Sequence, residues 1–235
     1  MTEATLERIK AHAAQEMPRE CCGLLLVRKG KEVYWPCRNL AAGAGQFRLA
    51  PEDYAAAEES GDVLAVVHSH PHLPATPSQA DLVGCEASGL PWIILSWPTG
   101  ALHEFTPSGY VAPLIGRVFS HGVLDCYALV KDYYQREVKI DLPDFDRQDD
   151  WWKAGQNLYR DNFSAAGFQV IDRSQLCPHD AILIQLGANV ANHAAIYLGD
   201  GMILHHPMNR LSGRDVFGGY WQKNAVLYLR HKDLA

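Results

Sequence analysis

The 235-residue chain has no run approaching the roughly 18 consecutive apolar residues that a bilayer-spanning helix requires, so membrane insertion is not expected. It also lacks any dense Lys/Arg cluster able to neutralise phosphates or anionic head groups. With a formal net charge of -6 and a pI near 6.0, it has neither nucleic acid nor a membrane surface as an expected partner. The six cysteines are irregularly spaced and include no C-x-x-C pair. That excludes a disulfide framework and a cysteine-rich zinc site, and it fits reduced thiols in a reducing compartment. The first ten residues mix charged and apolar types without the apolar core of a secretory signal, which makes synthesis into the cytosol the expectation. Low-complexity segments and internal repeats are likewise missing.

What is present is ample material for two cores. The chain exceeds the usual single-domain size of about 100–200 residues, and 48% of it is hydrophobic. Leu6, Ile9, Ala13 and Met17 recur at helical spacing until Pro18 interrupts them, predicting a helix over about 4–17. Gly23 to Val27 reads as a buried strand, Pro51 to Glu59 as a short helix, and Val63 to Val67 as a β-branched strand ending at His68. A helix from Ser78 and strands over 92–97 and 102–105 complete an α/β unit over residues 1–106. Residues 107–113 read as a linker. The remainder, 114–235, opens with helices predicted over about 124–138 and 149–163. Short apolar runs over 181–186, 193–198, 202–205 and 225–229 follow, an order that describes an α+β domain with an antiparallel sheet.

Two constellations carry chemistry. In the first, His68-Ser69-His70 ends a strand, so both imidazoles point to one face. After seven intervening residues comes Ser78, and Asp81 sits one helical turn further on. Two nitrogens and one carboxylate would hold Zn²⁺ with a fourth position open to water, the arrangement of a catalytic site. Glu20, just ahead of the first strand, is the candidate general acid/base outside that ligand set. Ser78-x-x-Asp81 is also a variant of a helix capping box. The pattern of an upstream Glu, then His-x-His, Ser and Asp at these spacings, resembles the JAMM motif of the MPN (Mov34/PAD1) metallo-isopeptidases. That resemblance implies His68, His70 and Asp81 as zinc ligands, Glu20 as acid/base and Ser78 as the oxyanion partner. His72 is expected to be solvated.

In the second, Asp125-Cys126 opens a predicted helix, where N–H groups and the helix dipole favour a thiolate. Far downstream, His193 starts one strand and His205 lies on the next, so adjacent antiparallel strands could bring them together into a Cys126-His193-His205 relay. His206 points to the opposite face. Asp125-Cys126-Tyr-Ala-Leu-Val and His193-Ala-Ala-Ile-Tyr-Leu-Gly resemble the helix start and histidine strand of the NlpC/P60 papain-like cysteine peptidases, over about Arg117 to the end. The resemblance implies Cys126 as nucleophile, His193 as base, His205 as third member, and peptide stems of bacterial peptidoglycan as substrate. Two departures stand out: Tyr127-Ala128 replaces Ser-Gly, so Tyr127 is expected to narrow or reshape the cleft, and the customary upstream tyrosine is missing. Trp35, Trp151, Trp152 and Trp221 are expected in core or rim packing.

An MPN domain joined to an NlpC/P60 domain in a chain of this length resembles a family of tail proteins from lambda-like phages. It implies phage tail tip proteins as partners, and a place in the host cytoplasm during assembly or at the virion tail tip. Two other readings stay open. One is a non-enzymatic assembly factor with relic sites, against which the complete motifs count. The other is a remover of a ubiquitin-like modifier, which the attached wall-type domain disfavours.

Overall fold

The computed structural model describes residues 1–234; Ala235, the last residue of the second expected domain, lies outside them. The chain forms two compact units that divide between Val111 and Ala112.

In the first unit, helix α1 (Glu3–Glu16) starts where the Thr2 hydroxyl accepts the Thr5 N–H, and it buries Ile9 and Ala13. Strands β1 (Cys22–Arg28) and β2 (Lys31–Cys37) form a hairpin. Helix α2 (Pro51–Ser60), strand β3 (Asp62–Pro71), helix α3 (Gln79–Ser88), and strands β4 (Trp92–Trp97) and β5 (Leu102–Phe105) follow. The sheet order is β2-β1-β3-β4-β5, with β3 and β4 parallel across α3 and the other pairs antiparallel. Strand alternation sorts the core. Cys21, Leu25, Ala65 and Val67 join α1 on one face, while Cys22, Leu24, Leu26 and Val66 join Ala57 of α2 and Cys85 of α3 on the other. Gly23 is dictated by close packing, since a Cβ there would lie 2.5 Å from the Trp35 carbonyl and 2.7 Å from the Tyr34 ring. Strand β2 was not expected, because Lys31, Glu32 and Pro36 dilute its alternation.

The second unit contains helices α4 (Cys126–Tyr133), α5 (Leu158–Asn162) and α6 (Gly219–Lys223). Its strands are β6 (Phe168–Ile171), β7 (Ala181–Ile184), β8 (His193–Gly199), β9 (Met202–His205), β10 (Gly213–Val216) and β11 (Ala225–His231). They make an antiparallel sheet in the order β10-β9-β8-β7-β11-β6. The α4 helix packs on β8 and β9, and its buried Leu129, Val130 and Tyr133 meet Ile196 and Leu204 of those strands. Two helix expectations need correction. Over 124–138, Asp125 takes the cap position, the α-helix ends at Tyr133, and Tyr134–Val138 continues as one π-helical turn closed by Lys139 at φ 66°. Over 149–163 only α5 is helical, because Asp150 (φ 54°) and Gly155 (φ 81°) adopt left-handed backbone and break the pattern into turns. Strands β6 and β10 were also unforeseen, being four residues each and exposed on one side. Among the described residues no helix is long and apolar enough to cross a membrane.

Candidate active sites

The first site lies at the carboxyl end of β3. His68 and His70 share the face toward α3, and that helix begins with a reciprocal capping box. The Ser78 Oγ accepts the Asp81 N–H at 3.1 Å, and Asp81 Oδ2 accepts the Ser78 N–H at 2.7 Å. The capping reading and the site reading are thus one structure, since the cap holds the Asp81 carboxylate still. Its Oδ1 is 3.3 Å from His68 Nε2, its Oδ2 is 3.5 Å from His70 Nε2, and the two Nε2 atoms are 3.2 Å apart. His70 Nδ1–H donates to the Pro74 carbonyl at 2.9 Å, which commits that nitrogen's proton and aims the Nε2 lone pair at the shared point. Phe47 stacks on His68 at 4.6 Å and Trp92 meets it edge-on at 5.5 Å, so that ring is fully buried. The ligand atoms of His68, His70 and Asp81 all lie within 4.8 Å of one another, a spread that one metal ion would fill.

Glu20 precedes β1, and the antiparallel register Cys22↔His68 sets it opposite His70. Burial, reinforced by the Asp81 charge and opposed by His70, pushes its carboxyl up to about 8. Burial also opposes the charge on Asp81, but hydrogen bonds from His68, His70 and the Ser78 N–H outweigh it and hold that carboxyl well below its usual range. Within the cap, the Ser78 oxygen acts as acceptor, an arrangement that leaves its O–H available to donate. His72 is exposed.

The second site sits at the amino end of α4. Asp125 caps the helix, accepting the Ala128 N–H at 2.8 Å through Oδ1 and the Gly122 N–H at 3.0 Å through Oδ2; the buried Arg147 Nε pairs with Oδ2 at 2.8 Å. That network fixes Cys126 as the first helical residue. The Cys126 Sγ is 3.1 Å from the Tyr159 hydroxyl. On the sheet, Ala195 pairs with His205, so His193, two residues before Ala195, is the diagonal neighbour of His205 on the same face. His193 Nε2 lies 3.1 Å from His205 Nδ1, and His205 Nε2 lies 3.0 Å from Asp215 Oδ2 on β10. Cys126 and His193 line one cleft with Phe119, Trp151, Trp152 and Met208.

Several sequence expectations change here. Burial first, then the Asp125 charge, pushes the Cys126 thiol up to about 11, against the pull of the Tyr159 hydroxyl. A tyrosine does reach the Cys126 sulfur, but it is Tyr159 of α5, and nothing in the local sequence marks it. Tyr127 does not narrow the cleft: its hydroxyl donates to the Pro143 carbonyl at 2.6 Å, and its ring packs in the core 6.1 Å from that of Tyr159. As expected, Trp151 packs in the core of this unit with Trp152 against it, and both also line the cleft; Trp221 meets His205 edge-on at 4.4 Å. His206 faces the other way, against Phe119 at 5.2 Å. Asp215 went unnoticed because β10 was not foreseen.

Burial, with His205 and His206 adding to it, lowers the His193 pKa from 6.5 to about 3. Unfolding exposes a ring that takes a proton near its ordinary value. Between those two values the unfolded chain binds more protons, so stability present above pH 6.5 is lost as pH falls toward 3. The loss per group is up to about 1.4 kcal/mol for each pH unit. Hydrogen-exchange protection of the β7 to β9 amides, followed from pH 7.5 downward, should fall more steeply in the wild type than in His193→Gln; equal slopes would contradict the assignment.

A fold of this kind, with a three-ligand metal constellation in one unit and a cysteine-histidine cleft in the next, defines a two-domain chain of the peptidase type. Residues 2–107 match the model for prokaryotic homologs of the JAB domain, and residues 116–230 match the NlpC/P60 family. The first of these is a metal-binding fold. The chain is 42% identical to tail tip assembly protein K of Escherichia phage N15, over all of this chain and 97% of that protein. It is 43% identical to the protein of the same name from Escherichia phage lambda, over 78% of this chain and 89% of that one. A solved JAB1/MPN domain protein from Archaeoglobus fulgidus is 22% identical, with 46% of this chain and 90% of that chain covered and a TM-score of 0.31. The chain belongs to the tail tip assembly protein K family.

Proposed function

We propose that the chain is a phage tail tip assembly protein with two peptidase sites. Its second unit hydrolyses the stem peptides of bacterial peptidoglycan through Cys126, and its first is a zinc-dependent (iso)peptidase acting on an unidentified protein. The observation that carries the reading is His193, hydrogen-bonded to His205 behind it, lining the same cleft as the Cys126 thiol. The tail role is supported by the likeness to tail tip assembly protein K of phages N15 and lambda. Its partners would be other tail tip proteins, met in the host cytoplasm during assembly and retained at the virion tail tip.

At the cysteine site His193 Nε2 is engaged by His205, which leaves Nδ1 to take the Cys126 proton. The sulfur then forms a bond to the substrate carbonyl carbon, and the carbonyl oxygen becomes an oxyanion beside the Cys126 N–H. Collapse breaks the C–N bond while His193 returns the proton to the leaving amine. Water, deprotonated by His193, then hydrolyses the thioester. With the thiol up to about 11 and the His193 ring down to about 3, both partners rest neutral, so the proton moves as substrate is attacked.

In the first unit His68, His70 and Asp81 would hold Zn²⁺, which when bound supplies a Lewis acid at the end of β3. Glu20, whose carboxyl burial pushes up to about 8, would exchange a proton beside those ligands. Ser78 would direct its O–H toward an oxyanion.

Muropeptide release from purified peptidoglycan tests the reading. Wild type and the His68→Ala/His70→Ala double variant are expected to release the same products at similar rates, because only the cysteine unit addresses the wall. An inert wild type would favour a non-enzymatic assembly factor.

A further inference from the structure

The third member of the cysteine site does not end the hydrogen-bond chain. His205 is buried, and each of its ring nitrogens has a partner: Nδ1 faces His193 Nε2 at 3.1 Å and Nε2 faces Asp215 Oδ2 at 3.0 Å. Gly213 of β10 pairs with His205 of β9, which brings Asp215, two residues along on the same face, diagonally beside the ring. Arg210 Nη1 lies 3.4 Å from the same carboxylate oxygen, and Trp221 closes the edge of the His205 ring at 4.4 Å.

A carboxylate can only accept, and this fixes every proton along the line. His205 must carry its proton on Nε2, which leaves Nδ1 as a lone pair. His193 must then donate from Nε2, which leaves its Nδ1 bare, the nitrogen that the proposed mechanism assigns to the Cys126 proton. We propose that Asp215 is a positioning residue that sets the tautomer of both histidines and thereby presents the base at His193 Nδ1. This rests on the cysteine-peptidase reading of the site. Without Asp215 the His205 proton is free to move to Nδ1, where it would face His193 Nε2 and drive that ring's proton to Nδ1, the atom that must accept from the thiol.

The tautomers are directly observable. Two-bond ¹H–¹⁵N spectra of the full chain, labelled in its histidine rings and recorded at neutral pH, should show wild-type His193 and His205 both protonated at Nε2. In Asp215→Ala, both rings should populate the Nδ1–H form, and alkylation of Cys126 by iodoacetamide, read at that residue by mass spectrometry, should slow at least about tenfold. A wrong-tautomer variant of a serine-protease triad loses about 10⁴-fold in turnover, so this is a lower bound. Asp215→Glu should restore the Nε2–H form, which a merely structural role would not require. A wild-type His193 with its proton on Nδ1, or unchanged tautomers in Asp215→Ala, would overturn the inference. Should the alanine variant fail to fold, the wild-type spectrum decides alone. If the tautomers behave as expected but the wild type cleaves no stem peptide, the peptidase reading fails while Asp215 keeps its role.

Discussion

Cys126→Ala is expected to lower stem-peptide hydrolysis by roughly 10⁴-fold or more, the loss seen when the nucleophile of a relay is removed and only binding and oxyanion contacts remain. Little else in the unit should change. Cys126 is buried at the start of α4, but the helix is started by Asp125, whose carboxylate accepts two N–H groups and pairs with Arg147. An alanine removes one sulfur from a cleft wall without touching that cap. Because the sites lie in separate compact units, metal content should be unchanged. Cleavage of a synthetic stem peptide and elemental analysis on the same preparation check both statements. Residual hydrolysis within tenfold of wild type would remove Cys126 from the mechanism, and loss of metal would show that the units are coupled.

Tyr159 separates what the nucleophile needs from what helps it. Its hydroxyl, 3.1 Å from Sγ, partly offsets the burial that holds the thiol at about 11. That compensation is incomplete, so the proposed mechanism calls for a base rather than a standing thiolate.

Both sites show where a sequence is readable. His68, His70, Ser78 and Asp81 lie within one strand-helix segment, so local periodicity and capping chemistry suffice to bring them together. His193 and His205 share a hairpin, where antiparallel pairing does the same. Asp215 and Tyr159 resisted for the opposite reason. Each reaches the site from an element too short to announce itself, a four-residue strand and a five-residue helix. Their positions depend on long-range packing that no local pattern encodes. The helix expected over 149–163 is cut to Leu158–Asn162 for a related reason, since left-handed backbone at Asp150 and Gly155 breaks the first part into turns.

The largest effect in the first unit is expected from Asp81→Asn. The carboxylate does two tasks at once, accepting the Ser78 N–H at 2.7 Å and meeting both imidazoles within 3.5 Å. An asparagine side chain keeps an acceptor for the cap, so helix α3 should lose at most about 1 kcal/mol. It cannot supply the anionic oxygen a zinc site of this kind uses. Removing a partner behind a ligand already costs 10–100-fold in metal affinity, so replacing the ligand itself should weaken Zn²⁺ binding by at least about 100-fold. Zinc titration with a competing chelator measures that ratio, and thermal unfolding with and without Zn²⁺ checks it independently. Wild type should gain stability with added zinc according to the ratio of metal to dissociation constant, and Asp81→Asn should gain far less. Equal zinc affinity in the two proteins would mean that the carboxylate serves the cap alone and that the metal reading of this cluster is wrong.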